Sequence, residues 1–238
     1  MNTRRIGAIV HKELQEYRRN RFVIGGMAIL PLVFSIQPLV AVVELGTSAS
    51  SSLGSEHVLL YMLGIPILVP VIVAATAVAG ERQQGSLEPV LTTPITADEL
   101  LLGKALAALV PSLLVAYGVY ALFLVLVELL AQPAVTAAFI RGPDLVAQVL
   151  FTPLLASWSI CVGMAISTRT SDTRVAQQLG LLASLPPVLL VLLIAVNAIP
   201  PTLGLAVGSA VVLIIVDGVG WQVTSRLFDR ERLITGAR

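Results

Sequence analysis

Charged residues are scarce in this sequence, and their scarcity limits the class of protein it can encode. Asp, Glu, Lys and Arg make up only 12% of the 238 residues, whereas ordinary soluble domains carry about 25%. A water-soluble surface is difficult to build from so few charges. The composition therefore argues against a soluble protein.

Cysteine and histidine are also scarce. Cys161 is the single cysteine, so the chain can form no internal disulfide and no metal site built on cysteines. His11 and His57 are far apart and have no acidic residues at ligand spacing, so we expect neither to bind metal or act in catalysis. The sequence also has no phosphate-binding Gly-Lys-Ser/Thr loop and no dinucleotide fingerprint.

Long apolar runs are what the sequence has in abundance. Hydrophobic residues make up 56% of the chain, and its mean hydropathy is +0.91. Six runs reach the roughly 20 residues that a membrane-crossing helix needs, and they cover residues 22–43, 57–79, 100–130, 145–167, 175–196 and 203–225. We predict an all-α integral membrane protein in which residues 1–238 form a single transmembrane domain.

Two consecutive prolines, Pro186 and Pro187, interrupt the fifth run. Each proline removes a backbone donor, so the pair is a stronger break than the single prolines that membrane helices tolerate. We expect a full helix followed by a shorter outer piece that is kinked or re-entrant. Residues 198–201 are then expected to form the turn before the sixth run.

Positive charges fall almost entirely on one side of this predicted topology. With six spans, fourteen of the fifteen Lys and Arg residues lie on one side, and Arg141 alone lies on the other. Because Lys and Arg mark the cytoplasmic side, both termini are predicted to be cytosolic, including a tail of residues 226–238. We expect a multi-pass protein of a prokaryotic cytoplasmic (inner) membrane.

Residues 1–21 are predicted to form an amphipathic helix before the first span. Apolar residues recur on one face, at Ile6, Ile9, Val10, Leu14 and Tyr17. Basic residues occupy much of the remaining surface. Such a helix lies in the membrane interface with its cations near anionic lipid.

The longest polar interruption between apolar runs, residues 80–99, follows the second run. Ser86 is suited to cap a short helix, and Pro94 is suited to end it. Thr96 and Glu99 have the spacing of a capping box at the start of the third span. The segment therefore predicts a short, rigid cytosolic helix between two spans.

This segment resembles the cytosolic signature of the membrane subunits of type 2 ATP-binding-cassette exporters. In that family an acidic residue ends the second span, and Gly-Thr/Ser-Leu-Glu, Leu-Leu/Thr-x-Pro and Glu-Leu/Ile-Leu-Leu-Gly-Lys blocks follow it. The matching positions are Glu81, Gly85 to Glu88, Leu91 to Pro94, and Glu99 to Lys104. Residues 12–21 are similar to the family's elbow helix, so the resemblance extends over essentially the whole chain.

The resemblance implies the permease subunit of an ATP-driven exporter, with a coupling helix that docks on a separate ATPase. The positions that correspond to this contact are Glu81, Gly85, Ser86, Leu87, Glu88, Val90, Leu91, Thr92, Thr93 and Pro94. The partner would bind ATP and Mg²⁺, so we expect no cofactor in this chain and no enzymatic activity of its own. The implied assembly has two ATPase copies and a second permease, either identical or paralogous, in contact with membrane lipid and without nucleic acid.

Polar residues inside the apolar runs are the candidates for a transport pathway. They are Gln37, Ser157, Trp158, Asn197 and Asp217. Asp217 is the most unusual, because an intramembrane carboxylate is costly and usually faces a cavity or a partner. Asp217 at the cytosolic interface, or satisfying a neighbouring helix, remains the alternative. The small number of charges favours a hydrophobic or amphiphilic substrate such as a drug, lipid or peptide.

Two other functions remain open from the residues alone. An intramembrane enzyme acting on lipid would need a nucleophile and base or a carboxylate pair at membrane depth, and only Asp217 lies there. A carrier or channel driven by ion gradients would favour repeated halves and broken helices with ion ligands. No convincing repeat is present.

Overall fold

The computed structural model describes residues 2–44, 57–85, 95–130, 136 and 140–227. These residues form helices and turns and include no β-strand. The helices, in chain order, are α1 (Thr3–Arg19), α2 (Arg21–Glu44), α3 (Gly64–Ala75), α4 (Ala79–Gln83), α5 (Ala97–Leu130), α6 (Gly142–Arg169), α7 (Thr173–Ala183), α8 (Leu185–Ala195) and α9 (Leu203–Leu227). A 3₁₀ segment, Val58–Leu63, leads into α3.

Six helical stretches of the described chain are long and apolar enough to cross a membrane. They are the first span, α2; the second, from the 3₁₀ segment through α4; the third, α5; the fourth, α6; the fifth, α7 with α8; and the sixth, α9. With α1 preceding them, they confirm the predicted all-α membrane fold. The end of the bundle that holds α1 is called the predicted cytosolic end below, and the opposite end the predicted outer end.

The second span lies at the centre of the bundle. Its helix α3 packs most extensively against α6 and also contacts α2, α5, α7 and α8. A helix surrounded in this way must be apolar on all sides, and every residue of α3 except Leu68 is buried. The sixth span, α9, instead lies at the edge against α6, and Thr224 is the one buried residue within that described helix.

The fifth span was expected to consist of a full helix followed by a shorter outer piece, and the structure differs from this. It consists of two helices of 11 residues each, α7 and α8, which meet at Ser184. Pro186 and Pro187 stand in the first turn of α8, where a missing N–H group costs little. The break therefore falls just before the prolines and divides the span equally.

A partly buried polar pair joins two spans at the predicted outer end. His57 Nδ1 lies 2.7 Å from Asp144 Oδ1, and the His57 amide donates to the Ala195 carbonyl at 2.9 Å. These contacts connect the starts of the second and fourth spans with the end of the fifth. The sequence did not indicate a partner for His57, because Asp144 is 87 positions away.

Helix α1 packs on α5 at a position where only glycine fits. Ile9, Glu13 and Tyr17 form the buried face of α1. A Cβ atom placed on Gly103 of α5 would lie 2.7 Å from Ile9 Cγ2, well inside contact distance. Gly103 therefore permits the close approach of α1 to the third span.

Replacing Gly103 with alanine should displace α1 from α5. We expect Gly103→Ala to lower the free energy of unfolding by about 1–3 kcal/mol, the usual cost of overpacking. Gly118→Ala is the matched control on the same helix, since a Cβ atom there meets nothing within 4 Å. Thermal and chemical unfolding of the purified variants would measure both effects, and Ile9→Ala should partly rescue Gly103→Ala. Equal stability of the two alanine variants would contradict the close approach.

Candidate functional site

A lysine whose ammonium group is buried connects three helices at the predicted cytosolic end. Lys104, on α5, is only 1% exposed. Its Nζ atom lies 2.7 Å from Glu13 Oε1 of α1, 2.7 Å from the Ala77 carbonyl oxygen and 3.1 Å from Glu81 Oε1 of α4. These three acceptors match the three donors of an ammonium group.

A second lysine completes this arrangement from the solvent side. Lys12 Nζ lies 2.6 Å from Glu81 Oε1 and 3.2 Å from Glu16 Oε1. Burial alone would lower the pKa of Lys12, but its hydrogen bond to Glu81 and the nearby carboxylates raise that pKa well above its usual value. Lys12 therefore stays protonated and helps to neutralise Glu81. We call Lys12, Glu13, Glu81 and Lys104 the charge cluster.

The charge cluster surrounds the two ends of the predicted coupling segment. Glu81 lies at the start of that segment on α4, and Lys104 follows the segment on α5. Buried ion pairs contribute little net stability, yet removing one partner is costly because the other charge is left uncompensated in the interior. The charge cluster therefore fixes both ends of the segment against α1.

The predicted capping box at the start of α5 is confirmed. The Glu99 amide donates to Thr96 Oγ1 at 3.3 Å, and the Thr96 amide donates to Glu99 Oε2 at 3.2 Å. Glu99 also accepts a hydrogen bond from the Asn2 amide at 2.7 Å and lies 3.5 Å from Arg5 Nη1. The same carboxylate thus caps α5 and holds the start of α1.

The other end of the segment is held by the fourth span. Arg82 Nη1 donates to the Thr170 carbonyl at 3.1 Å, and its Nη2 donates to the Thr168 carbonyl at 3.4 Å. Ser167 Oγ accepts hydrogen bonds from the amides of residues 78 and 79, at 3.0 and 2.9 Å. These bonds satisfy amides at the break between α3 and α4, so the short helix α4 has a fixed direction.

Of the residues assigned to the coupling contact, the structure describes two. Glu81 belongs to the charge cluster, and Gly85 has φ of +66°, a left-handed conformation that glycine adopts without steric cost. Gly85 therefore ends the turn after α4 and redirects the chain. The remaining eight lie outside the described residues: Ser86, Leu87, Glu88, Val90, Leu91, Thr92, Thr93 and Pro94.

A cleft of about 490 Å³ lies beside the charge cluster. Side chains of α1, including Glu16 and Tyr17, line one side, and α4 with Thr173 of α7 lines the other. Burial raises the pKa of the Tyr17 hydroxyl well above its usual value, and the neighbouring Glu13 carboxylate adds to the effect. Tyr17 therefore remains a neutral phenol at the wall of this cleft.

The residues predicted to line a pathway do not form one group. Asn197 is exposed in the turn after α8, where its φ of 56° gives it a role in turn geometry. Ser157 and Trp158 are half-buried on α6, and Asp217 is half-buried on α9, the helix that packs on α6. Gln37 is on α2, and its side chain lies outside the described part of the structure.

The pairing of Glu13 with Lys104 was not predicted from the sequence. Glu13 lies four positions from Ile9 and from Tyr17, so it falls in the middle of the apolar face of α1. A charge on an apolar face was the available signal that it needed a buried partner. Nothing in the sequence showed which cation that partner was.

Removing the buried cation should destabilise the protein severely. We expect Lys104→Met to lower the free energy of unfolding by about 3–5 kcal/mol, because Glu13 and Glu81 lose their shared cation. Lys12→Met should cost about 1 kcal/mol, since Lys12 is 39% exposed. Unfolding in one detergent would compare the two, and Glu13→Gln should recover part of the loss in Lys104→Met. An equal loss of stability in Lys104→Met and Lys12→Met would contradict the stronger role of the buried lysine.

Comparison with known proteins identifies the family of this membrane protein. The chain matches the family described as ABC-2 family transporter protein over residues 7–209. That range runs from α1 into α9 and includes the complete charge cluster. No curated protein matches the chain. The chain therefore belongs to the ABC-2 family of transporter proteins, as a multi-pass membrane component.

Proposed function

We propose that this chain is the permease subunit of an ATP-driven exporter in a prokaryotic cytoplasmic membrane, with both termini in the cytosol. Membership in the ABC-2 family implies an ABC transporter with an ATPase partner. In this proposal residues 80–99 dock on that ATPase. The partner binds ATP and Mg²⁺, and this chain supplies the transport path and the contact.

The observation that carries the proposal is the position of Lys104. It bonds Glu13 and Glu81 at once, so α1, α4 and the start of α5 are tied together around the coupling segment. A force applied to that segment cannot move one of its ends without disturbing a buried ion pair. Movement of the segment is thereby passed to three helices together.

The packing of the second span supports transmission of this movement into the bundle. Helix α4 follows α3 after a short break at residues 76–78. Helix α3 contacts the first, third, fourth and fifth spans. A displacement that enters at α4 therefore reaches the helix with the most neighbours.

An apolar cavity at the predicted outer half of the bundle supports a hydrophobic or amphiphilic substrate. The cavity has a volume of about 210 Å³ and lies between the second, fourth, fifth and sixth spans. Its lining includes Leu60, Phe151, Pro187, Leu190 and Leu213. Such a lining has few groups that could hold a strongly charged polymer. Alkyl and aromatic groups of a substrate can enter it at little cost in free energy.

The proposed working unit contains two permeases and two ATPases. The second permease is either a copy of this chain or a paralogue. Large apolar side chains remain exposed along α2 and along α7 and α8 of the single chain, for example Leu32 at 66% and Leu182 at 61%. Such faces are suited to lipid or to another membrane subunit.

Substitutions in the coupling segment should weaken binding of the ATPase without affecting the folding of this chain. We expect Leu87→Ala and Glu88→Gln to weaken ATPase binding by at least about tenfold each, as loss of an interface anchor does. Membrane insertion and unfolding temperature should remain unchanged. Glu128→Gln is the matched control, since Glu128 is exposed near the predicted outer end of α5.

The measurements are copurification of the ATPase and ATP hydrolysis by the reconstituted complex. The permease alone should hydrolyse no ATP. Undiminished binding and transport in both segment variants would refute the coupling contact. A loss of the same size in Glu128→Gln would show that the effect is not local to the segment.

A further inference from the structure

A groove of about 430 Å³ lies where α1 meets the first and third spans. Helix α1 contributes Leu14 and Arg18 to its lining, α2 contributes Ile24 and Ala28, and α5 contributes Pro111. Among the described residues that line it, Arg18 alone is charged. We call this opening the α1–α2 groove. It combines an apolar wall with a single cation.

The two arginines in the last turn of α1 border different openings. Arg18 lines the α1–α2 groove, whereas Arg19 lines the cleft beside the charge cluster together with Glu13 and Glu16. Consecutive residues of an α-helix point about 100° apart, so the two side chains meet different surroundings. Arg19 has carboxylates beside it. Arg18 is exposed and forms no ion pair within the described part of the chain, so its charge is available to a ligand.

The start of α2 adds a second positive feature at the same end of the groove. Only Asn20 separates α1 from α2, which begins at Arg21 and has no acidic residue in its first turn. Ile24, in the groove lining, is three positions from that start. The first turn of a helix carries partial positive charge and unpaired N–H groups, which favour an anion. Arg18 and the start of α2 therefore make the predicted cytosolic end of the groove attractive to a negative group.

Exposed apolar side chains continue from the groove toward the predicted outer end. On α2, Ile24, Ala28 and Leu32 are four residues apart and share one face, and all three are exposed. On α5, Leu114 lies three positions beyond Pro111 and is 70% exposed. A hydrocarbon chain that begins in the groove therefore has an apolar path along the bundle.

We propose that the α1–α2 groove binds one anionic phospholipid, with Arg18 contacting its phosphate and an acyl chain lying along α2 and α5. A cation at one end and an apolar surface beyond it match an amphiphile with a negative headgroup. A zwitterionic lipid offers the same chains, but its own ammonium group offsets the phosphate charge that attracts Arg18. The proposal goes beyond the proposed function, and it depends neither on the ATPase contact nor on the transported substrate.

The test measures lipid binding to the full chain, purified in detergent, by native mass spectrometry. One probe is palmitoyl-oleoyl phosphatidylglycerol, which is anionic. The second is the phosphatidylcholine with the same acyl chains, which is zwitterionic. The third is sn-glycerol 3-phosphate, which has the headgroup charge without the hydrocarbon. Titration with each probe gives the affinity of the first molecule bound per chain.

We expect phosphatidylglycerol to bind at least about tenfold more tightly than phosphatidylcholine, the usual size of a charge-assisted hydrogen bond. Arg18→Gln should remove this preference, and Arg18→Lys should retain it. Arg19→Gln is the matched control, since it removes the same charge from the next position, outside the groove lining. Equal affinity for the two lipids in the unmodified chain, or an equal loss of preference in Arg18→Gln and Arg19→Gln, would overturn the proposal.

A second pair of variants tests the apolar part of the groove. Ala28→Phe places a larger side chain in the lining, whereas Ile29→Phe changes the next position, which is 61% exposed and outside the lining. We expect Ala28→Phe to weaken phosphatidylglycerol binding at least about tenfold and Ile29→Phe to leave it unchanged. The same affinity in both variants would contradict occupancy of the groove by an acyl chain.

The same titrations recognise two other occupants of the groove. Displacement of phosphatidylglycerol by sn-glycerol 3-phosphate would show an anion site that does not need a lipid, and it would overturn the proposal. A dimer of this chain that carries no lipid and dissociates in Ala28→Phe would place a second copy in the groove, with the same consequence.

Discussion

The buried ammonium group of Lys104 is the interaction on which the arrangement of the predicted cytosolic end depends. It is enclosed by Glu13, Glu81 and the Ala77 carbonyl, with Lys12 neutralising Glu81 from outside. A charge in such a place is stable only when every acceptor is present. Helix α1, the end of the second span and the start of the third therefore take one relative position. Gly103, next to Lys104, adds a steric condition, since Ile9 occupies the space of its missing side chain.

The two ends of the bundle use polar contacts in different ways. At the predicted cytosolic end, charges from three helices meet around one lysine. At the predicted outer end, His57 and Asp144 form a single pair, and a backbone hydrogen bond from His57 to Ala195 brings in the fifth span. The apolar core between these ends is built around α3. The ion pairs between helices of the described chain thus lie at the ends of the bundle, where helices begin and end and backbone groups also need partners.

The sequence was sufficient to predict features that depend on local patterns. Run length predicted the six spans, and the spacing of Thr96 and Glu99 predicted the capping box that the hydrogen bonds confirm. Features that depend on distant residues could not be predicted: 91 positions separate Glu13 from Lys104, and no spacing rule joins them. The equal division of the fifth span was also missed, because Pro186 and Pro187 are accommodated in the first turn of a new helix.

The separation of Glu13 from Lys104 along the chain has a consequence for biogenesis. Glu13 leaves the ribosome 91 residues before Lys104, so α1 has no buried cation to receive it while the first two spans are inserted. Helix α1 can occupy its final place only after the third span has entered the membrane and delivered Lys104. A chain that stalls before its third span therefore keeps Glu13 on α1 without the buried cation that it contacts in the complete fold.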